Sequence, residues 1–173
     1  MVERVSQRKR EQEPRELLYD YGMRMQNEAV LQRSTGKVII RGKDREWEQN
    51  RQGLIKFMLY MTEWDQVGTP GWNIFINNIK HHSGQHTHQG GLALYVIDGK
   101  GYTVVDGVRY DWEDGDLILL PIKPGGCEHQ HFNEDPNRPA QWIAFNFRTM
   151  GEVVGIGRTQ QAEHPDWAVS KPK

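Results

Sequence analysis

Between Leu54 and Arg148 the apolar residues come in short runs, each cut off by turn residues. The runs are LIKFMLYM (54–61), WNIFINNIK (72–80), HTHQGGLALYVID (86–98), YTVV (102–105), VRYDW (108–112), DLILL (116–120) and WIAFNFR (142–148). They are too short and too β-branched or aromatic for helices, and their spacing predicts seven strands in a sandwich or closed barrel. Asp106-Gly107 between two alternating runs predicts a tight hairpin, because both turn residues accept positive φ. Nine of the 18 glycines fall between Gly84 and Gly126, which suits tight corners rather than a flexible linker.

Composition matters for what lies around this core. The chain has 173 residues and a mean hydropathy of −0.78. Its longest apolar stretch, from Leu54, is broken by Lys56 and falls far short of the roughly 20 residues a membrane span needs. The 22 Lys+Arg against 23 Asp+Glu exclude polyanion binding driven by bulk charge. The low apolar fraction reflects polar ends. Residues 1–16 hold nine charged side chains and read as disordered, with no apolar segment of a secretory signal. The lone Cys127 excludes an internal disulfide framework, and both features predict a cytoplasmic protein. A helix is expected over about 14–33, with Leu17, Leu18, Tyr21, Met25 and Ala29 forming an apolar face and Gly36 helping to stop it. Val38-Ile39-Ile40 reads as a short strand. Arg41 to Arg51 reads as a solvated segment anchored by Trp47, or as a lid over a pocket. The chain thus divides into an arm (1–53), a β domain (54–150) and a polar tail (151–173). The helix's apolar face, left alone on a barrel, predicts a homodimer or a higher homo-oligomer.

Six of the seven histidines lie in two clusters: His81, His82, His86 and His88, then His129 and His131. Residues i and i+2 of a strand share a face, so His86 and His88 present two imidazoles together. His129 and His131 repeat the spacing. Neutral imidazole is a ligand for Fe, Zn, Cu and Ni, and two such pairs in a β-rich chain predict a metal site. His81, His82 and His164 are expected to be solvent-facing or uninvolved.

These residues resemble the two motifs of the cupin family. His86-Thr87-His88 and Gly99 match the first motif, in which Leu92 occupies the glutamate position. Pro124, Gly126, His129 and Asn133 match every fixed position of the second. The resemblance covers about residues 72–148 and implies an all-β fold, a single jelly-roll (double-stranded β-helix) barrel carrying an N-terminal helical arm. It implies His86, His88 and His129 as metal ligands; the alternative is His131 as ligand with His129 structural. Leucine in place of the carboxylate leaves a three-histidine site with room for a chelating anion and O2. The pattern is most similar to gentisate-type ring-cleaving dioxygenases. That implies Fe(II), with Zn, Mn and Ni as alternatives, and C–C cleavage of an aromatic or enolised carbonyl substrate. In this group His131 would orient substrate or exchange protons.

Weaker candidates follow from position. Gln89 could bond a bound oxygen or point outward. On WIAFNFR, Trp142, Asn146 and Arg148 share one face, which could bind substrate, with Arg148 pairing a carboxylate; Ile143, Phe145 and Phe147 on the other face are expected in the core. Cys127 reads as a packing residue and Asn133 as a turn residue. The functions that compete with a dioxygenase are a non-oxidative metal-dependent isomerase, lyase or hydrolase, and a binding module without chemistry.

Overall fold

The computed structural model describes residues 16–149 and 157–167. The expected disorder of residues 1–15, and part of the expected tail, lie outside them. Among the described residues one α-helix, α1 (Leu18–Thr35), precedes eleven strands: β1 (Glu48–Asn50), β2 (Gly53–Leu59), β3 (Trp72–Ile79), β4 (Gln85–His88), β5 (Leu92–Asp98), β6 (Lys100–Val105), β7 (Val108–Glu113), β8 (Leu117–Leu120), β9 (Cys127–Asn133), β10 (Ala140–Phe147) and β11 (Thr159–Ala162). They form two antiparallel sheets, ordered β1-β2-β3-β10-β5-β8 and β11-β4-β9-β6-β7. The inner faces meet in a core of Ile79, Leu92, Leu94, Leu120, Cys127, Trp142 and Ala144. This is the expected all-β jelly-roll arrangement.

The strands exceed the seven expected for identifiable reasons. The run 86–98 is interrupted at Gly90-Gly91, so β4 and β5 enter different sheets. At Gly90 an added Cβ would lie 1.8 Å from Pro121 O, an approach only glycine permits. Strands β1, β9 and β11 are polar, with no apolar alternation to announce them. Asp106 (φ 50°) and Gly107 (φ 83°) make the expected β6–β7 turn.

Several expectations are corrected. The helix expected over about 14–33 runs from Leu18 to Thr35, and none of its residues is buried, so its apolar face is left exposed as expected. Its C-terminal end is tied down by Gln32 Nε2, which donates to the carbonyls of Trp64 and Val67. Gly36 is required there for proximity, since a Cβ would lie 2.3 Å from the Val67 carbonyl carbon. Residues 38–40 form no strand, for only Lys37 bridges to Val67. On β10 the faces are reversed. Trp142, Ala144 and Asn146 are buried, while Phe145 and Phe147 are exposed on the outer surface, where Phe147 leans on Trp72. The interior of the fold is the cavity side, so the face expected to line a pocket is also the packed one. The segment read as a tail contributes β11, an edge strand on β4. His164, expected to be uninvolved, is buried; its main-chain N–H donates to Arg51 O, and its Nδ1 lies 3.3 Å from Gln49 Nε2.

Candidate metal centre

Strands β4 and β9 are hydrogen-bonded neighbours with His86 opposite His129 and His88 opposite Cys127. Alternation along each strand turns His86, His88, His129 and His131 to the interior. All four are buried. The ring centroids of His86, His88 and His129 lie 4.3–4.9 Å apart, and one nitrogen from each falls within 4.8 Å of the others. Among the described residues this is the group of three or more ligand side chains that could hold a metal ion.

The donor chemistry fits a cation. His88 Nδ1 lies 2.5 Å from Gln89 O, and His129 Nδ1 lies 3.0 Å from Cys127 O. A carbonyl can only accept, so Nδ1 carries the proton in both rings and Nε2 keeps its lone pair. His86 Nδ1 is buried with no partner among the described residues. Burial first, and then neighbouring imidazoles and Arg158, hold His86 far below the ordinary histidine value of 6.5. Burial and the His129 charge lower His88 to about 3. Burial lowers His129 to about 4. The three rings are therefore neutral, as ligands must be, across the physiological range.

His131 is beside this group but differs from it. Its ring centroid lies 5.5 Å from that of His129, edge-on, and 4.9 Å from that of Trp142, tilted. Thr103 Oγ1 lies 2.8 Å from its Nδ1 and accepts a 2.9 Å hydrogen bond from Trp112 Nε1. Thr103 is fully buried, so its one hydroxyl hydrogen is directed to His131 Nδ1. That assignment places the ring proton on Nε2, making His131 an N–H donor rather than a metal ligand.

The histidines open into a cavity of about 340 Å³. Its walls include Leu92 in the position of the missing carboxylate, together with Trp142, Asn146, Asn73, Asn77, Phe75, Tyr60 and Arg158. Three of the candidate residues, His131, Trp142 and Asn146, thus come together there. Gln89 does not line it. Its Oε1 accepts from the main-chain N–H groups of Gly90 and Lys123, and its Nε2 donates to Lys123 O. Arg148 is likewise outside the lining, with its main-chain N–H donating to Gly71 O. Cys127 is buried beside His88's strand, and burial pushes its thiol up to about 11, in keeping with a packing role. Asn133 makes turn contacts, with Nδ2 donating to Asp135 O and Arg138 O.

Sequence reasoning missed Asn73, Asn77, Arg158 and Gln160 as cavity residues. The two asparagines sit four apart on β3, a same-face spacing that was legible. Arg158 and Gln160 reach the cavity only because β11 folds back along β4. Glu48, Asn50, Arg51 and Gln52 also line the cavity, so the end of the charged 41–51 segment contributes to its wall. Trp47 does not anchor it from below; it is exposed, with Lys56 Nζ 4.8 Å from its ring.

Comparison with known proteins places these observations. Residues 78–146 match the family model described as the cupin domain. A 5-aminosalicylate 1,2-dioxygenase from Comamonas sp is 30% identical over 80 residues, covering 46% of this chain and 20% of that enzyme. Among solved structures, the nucleoside dehydratase Pac13 of Streptomyces superposes with a TM-score of 0.53 at 11% identity, covering 73% of this chain and 92% of that one. The plu4264 protein of Photorhabdus luminescens superposes with a TM-score of 0.53 at 16% identity, covering 68% and 93%. At such identities the structural likenesses concern the fold.

Proposed function

From the match of residues 78–146 to the cupin-domain model and the three histidines gathered there, we propose that this protein is a metal-dependent dioxygenase. It cleaves a C–C bond of a small anionic aromatic or enolised carbonyl substrate with O2. The observation that carries the reading is the donor set. His86, His88 and His129 are neutral, and Leu92 lines the wall where a carboxylate would otherwise stand. A dication on such a face keeps its full charge, which favours an anionic chelating substrate. The matched Comamonas enzyme is named for such a substrate, although the alignment takes in only a fifth of it.

In this reading His86, His88 and His129 would hold Fe(II), which when bound supplies one-electron exchange with O2 and substrate. The chain's own residues do the rest. Leu92 competes for no coordination position and keeps water from that side. Arg158 at the mouth pairs the substrate's carboxylate, the role expected of Arg148. His131 donates its Nε2–H to a substrate oxygen and is held at that tautomer by Thr103. Phe75 offers an apolar ring to the flat substrate, with Trp142 edge-on beside it. The protein works as a cytoplasmic homodimer, for which light scattering at micromolar concentration should return twice the chain mass.

Anaerobic purification followed by metal analysis and O2-uptake assays with hydroxybenzoates tests this function. Stoichiometric iron and O2 consumption with loss of the aromatic ultraviolet band are expected. Turnover that persists without O2, in protein holding Zn, Mn or Ni, would replace it with a non-oxidative reaction. Protein that binds no metal would leave a binding module.

A further inference from the structure

Two buried polar atoms, carried by paired positions of neighbouring strands that both line the cavity, have no partner among the described residues. Trp142 on β10 is directly opposite Asn77 on β3. Both side chains are at least 97% buried and both line the cavity. Trp142 Nε1 and Asn77 Oδ1 have no hydrogen-bond partner among the described residues. A buried polar group without a partner costs about 1–3 kcal/mol, so two on adjacent strand positions are an expensive arrangement for packing alone. The β10–β3 ladder holds both backbones, leaving the side chains little scope to turn away.

Indole N–H only donates, and an amide carbonyl only accepts. A single group that both accepts and donates would satisfy the pair. We propose that Trp142 and Asn77 form a subsite for a neutral hydroxyl on the substrate, whose oxygen accepts from Trp142 Nε1–H and whose hydrogen is donated to Asn77 Oδ1. A carboxylate is excluded, since it has no hydrogen to give and its oxygen would face Oδ1. An ether or halogen could meet only the indole. Phe75, 5.9 Å from Trp142 and edge-on to it, supplies an apolar flank for the ring bearing that hydroxyl. The inference rests on the small-molecule site proposed above and makes these two residues its specificity determinants. A substrate lacking the hydroxyl is selected against because it leaves both atoms unpaired.

The test titrates ¹⁵N-tryptophan-labelled protein, with Zn(II) added, against phenol and against fluorobenzene, which has a similar shape but no hydrogen to donate. The Trp142 indole resonance is identified by its loss in Trp142→Phe. Phenol should move it downfield and fluorobenzene should not. Asn77→Leu should weaken phenol binding roughly five-fold, as loss of one hydrogen bond would. Asn77→Ala repeats the measurement without added bulk. Equal responses to the two probes, or phenol affinity unchanged in both Asn77 variants, would overturn the subsite. The same titration with 2-hydroxybenzoate and 2,5-dihydroxybenzoate separates this idea from the proposed function. If neither acid binds while phenol still moves the indole, the subsite stands and the aromatic-acid reading falls. If both acids bind equally well and neither moves the indole, the subsite falls and that reading stands.

Discussion

Thr103 has no exposed surface, yet its hydroxyl serves two rings, accepting from Trp112 and donating to His131. Valine has nearly the same shape but neither capacity. Thr103→Val therefore leaves an indole N–H and an imidazole nitrogen unpaired inside the fold. Each such loss costs about 1–3 kcal/mol, so chemical denaturation should report a destabilisation of about 2–6 kcal/mol. A change under about 1 kcal/mol would show that the network is not made as described. Activity should fall as well, because His131 would be released to the other tautomer. The three neighbouring histidines carry a different expectation. His86→Ala or His129→Ala should abolish stoichiometric metal binding while leaving the β-sheet circular dichroism intact. Full metal occupancy in both variants would remove the basis for the site.

At the scale of elements, two glycines of one hairpin system separate the reasons a position needs glycine. Gly107 has φ 83° and open space around it, so alanine there meets only backbone strain, about 1–2 kcal/mol. A Cβ on Gly101 would lie 2.0 Å from Phe132 O on the adjacent β9 and 2.7 Å from the Trp112 ring. Gly101→Ala must push β6 from β9 and should destabilise the protein by more than Gly107→Ala does, a ranking that thermal melts of the two variants check. The strand β11 shows how an element with no apolar pattern acquires a place. Its residues are polar because one side is an exposed edge, and it is held by pairing with β4 and by Gln160 Nε2 donating to Gln85 O. That pairing carries Arg158 to the cavity mouth. Arg158→Ala should raise the Kd of a hydroxybenzoate several-fold with metal content unchanged; equal affinity would return the carboxylate-pairing role to another cation.

The whole molecule confines four neutral imidazoles within one interior, and this couples its stability to pH. In the metal-free protein His88 titrates near 3 and His129 near 4, with His86 and His131 held well below 6.5. In the unfolded chain each titrates near 6.5. The folded values are depressed, so the unfolded state takes up protons first as pH falls. Stability from the neutral rings is complete above about 6.5 and is lost below it, by about 1.4 kcal/mol per pH unit for each histidine until its folded value is reached. Urea midpoints of chelator-treated protein should drop steeply between pH 7 and pH 5, and a flat profile would contradict the burial of these rings. How much of this was legible beforehand depends on the range of the interaction. The Asp106-Gly107 turn, the strand runs and the His-x-His pairs are local, because positive φ and two-residue alternation act between near neighbours in the chain. The sequence by itself therefore determined the β class, the three histidines on two strands and the loss of the carboxylate at Leu92. Only the tertiary structure decided that Phe145 and Phe147 face outward and that β11 brings Arg158 to the mouth. It also decided that Thr103 sets the His131 proton and that Trp142 Nε1 and Asn77 Oδ1, on paired strand positions, are left without partners among the described residues. Those outcomes depend on which strands become neighbours, and that choice is made by burial across the whole fold rather than by any short stretch of chain.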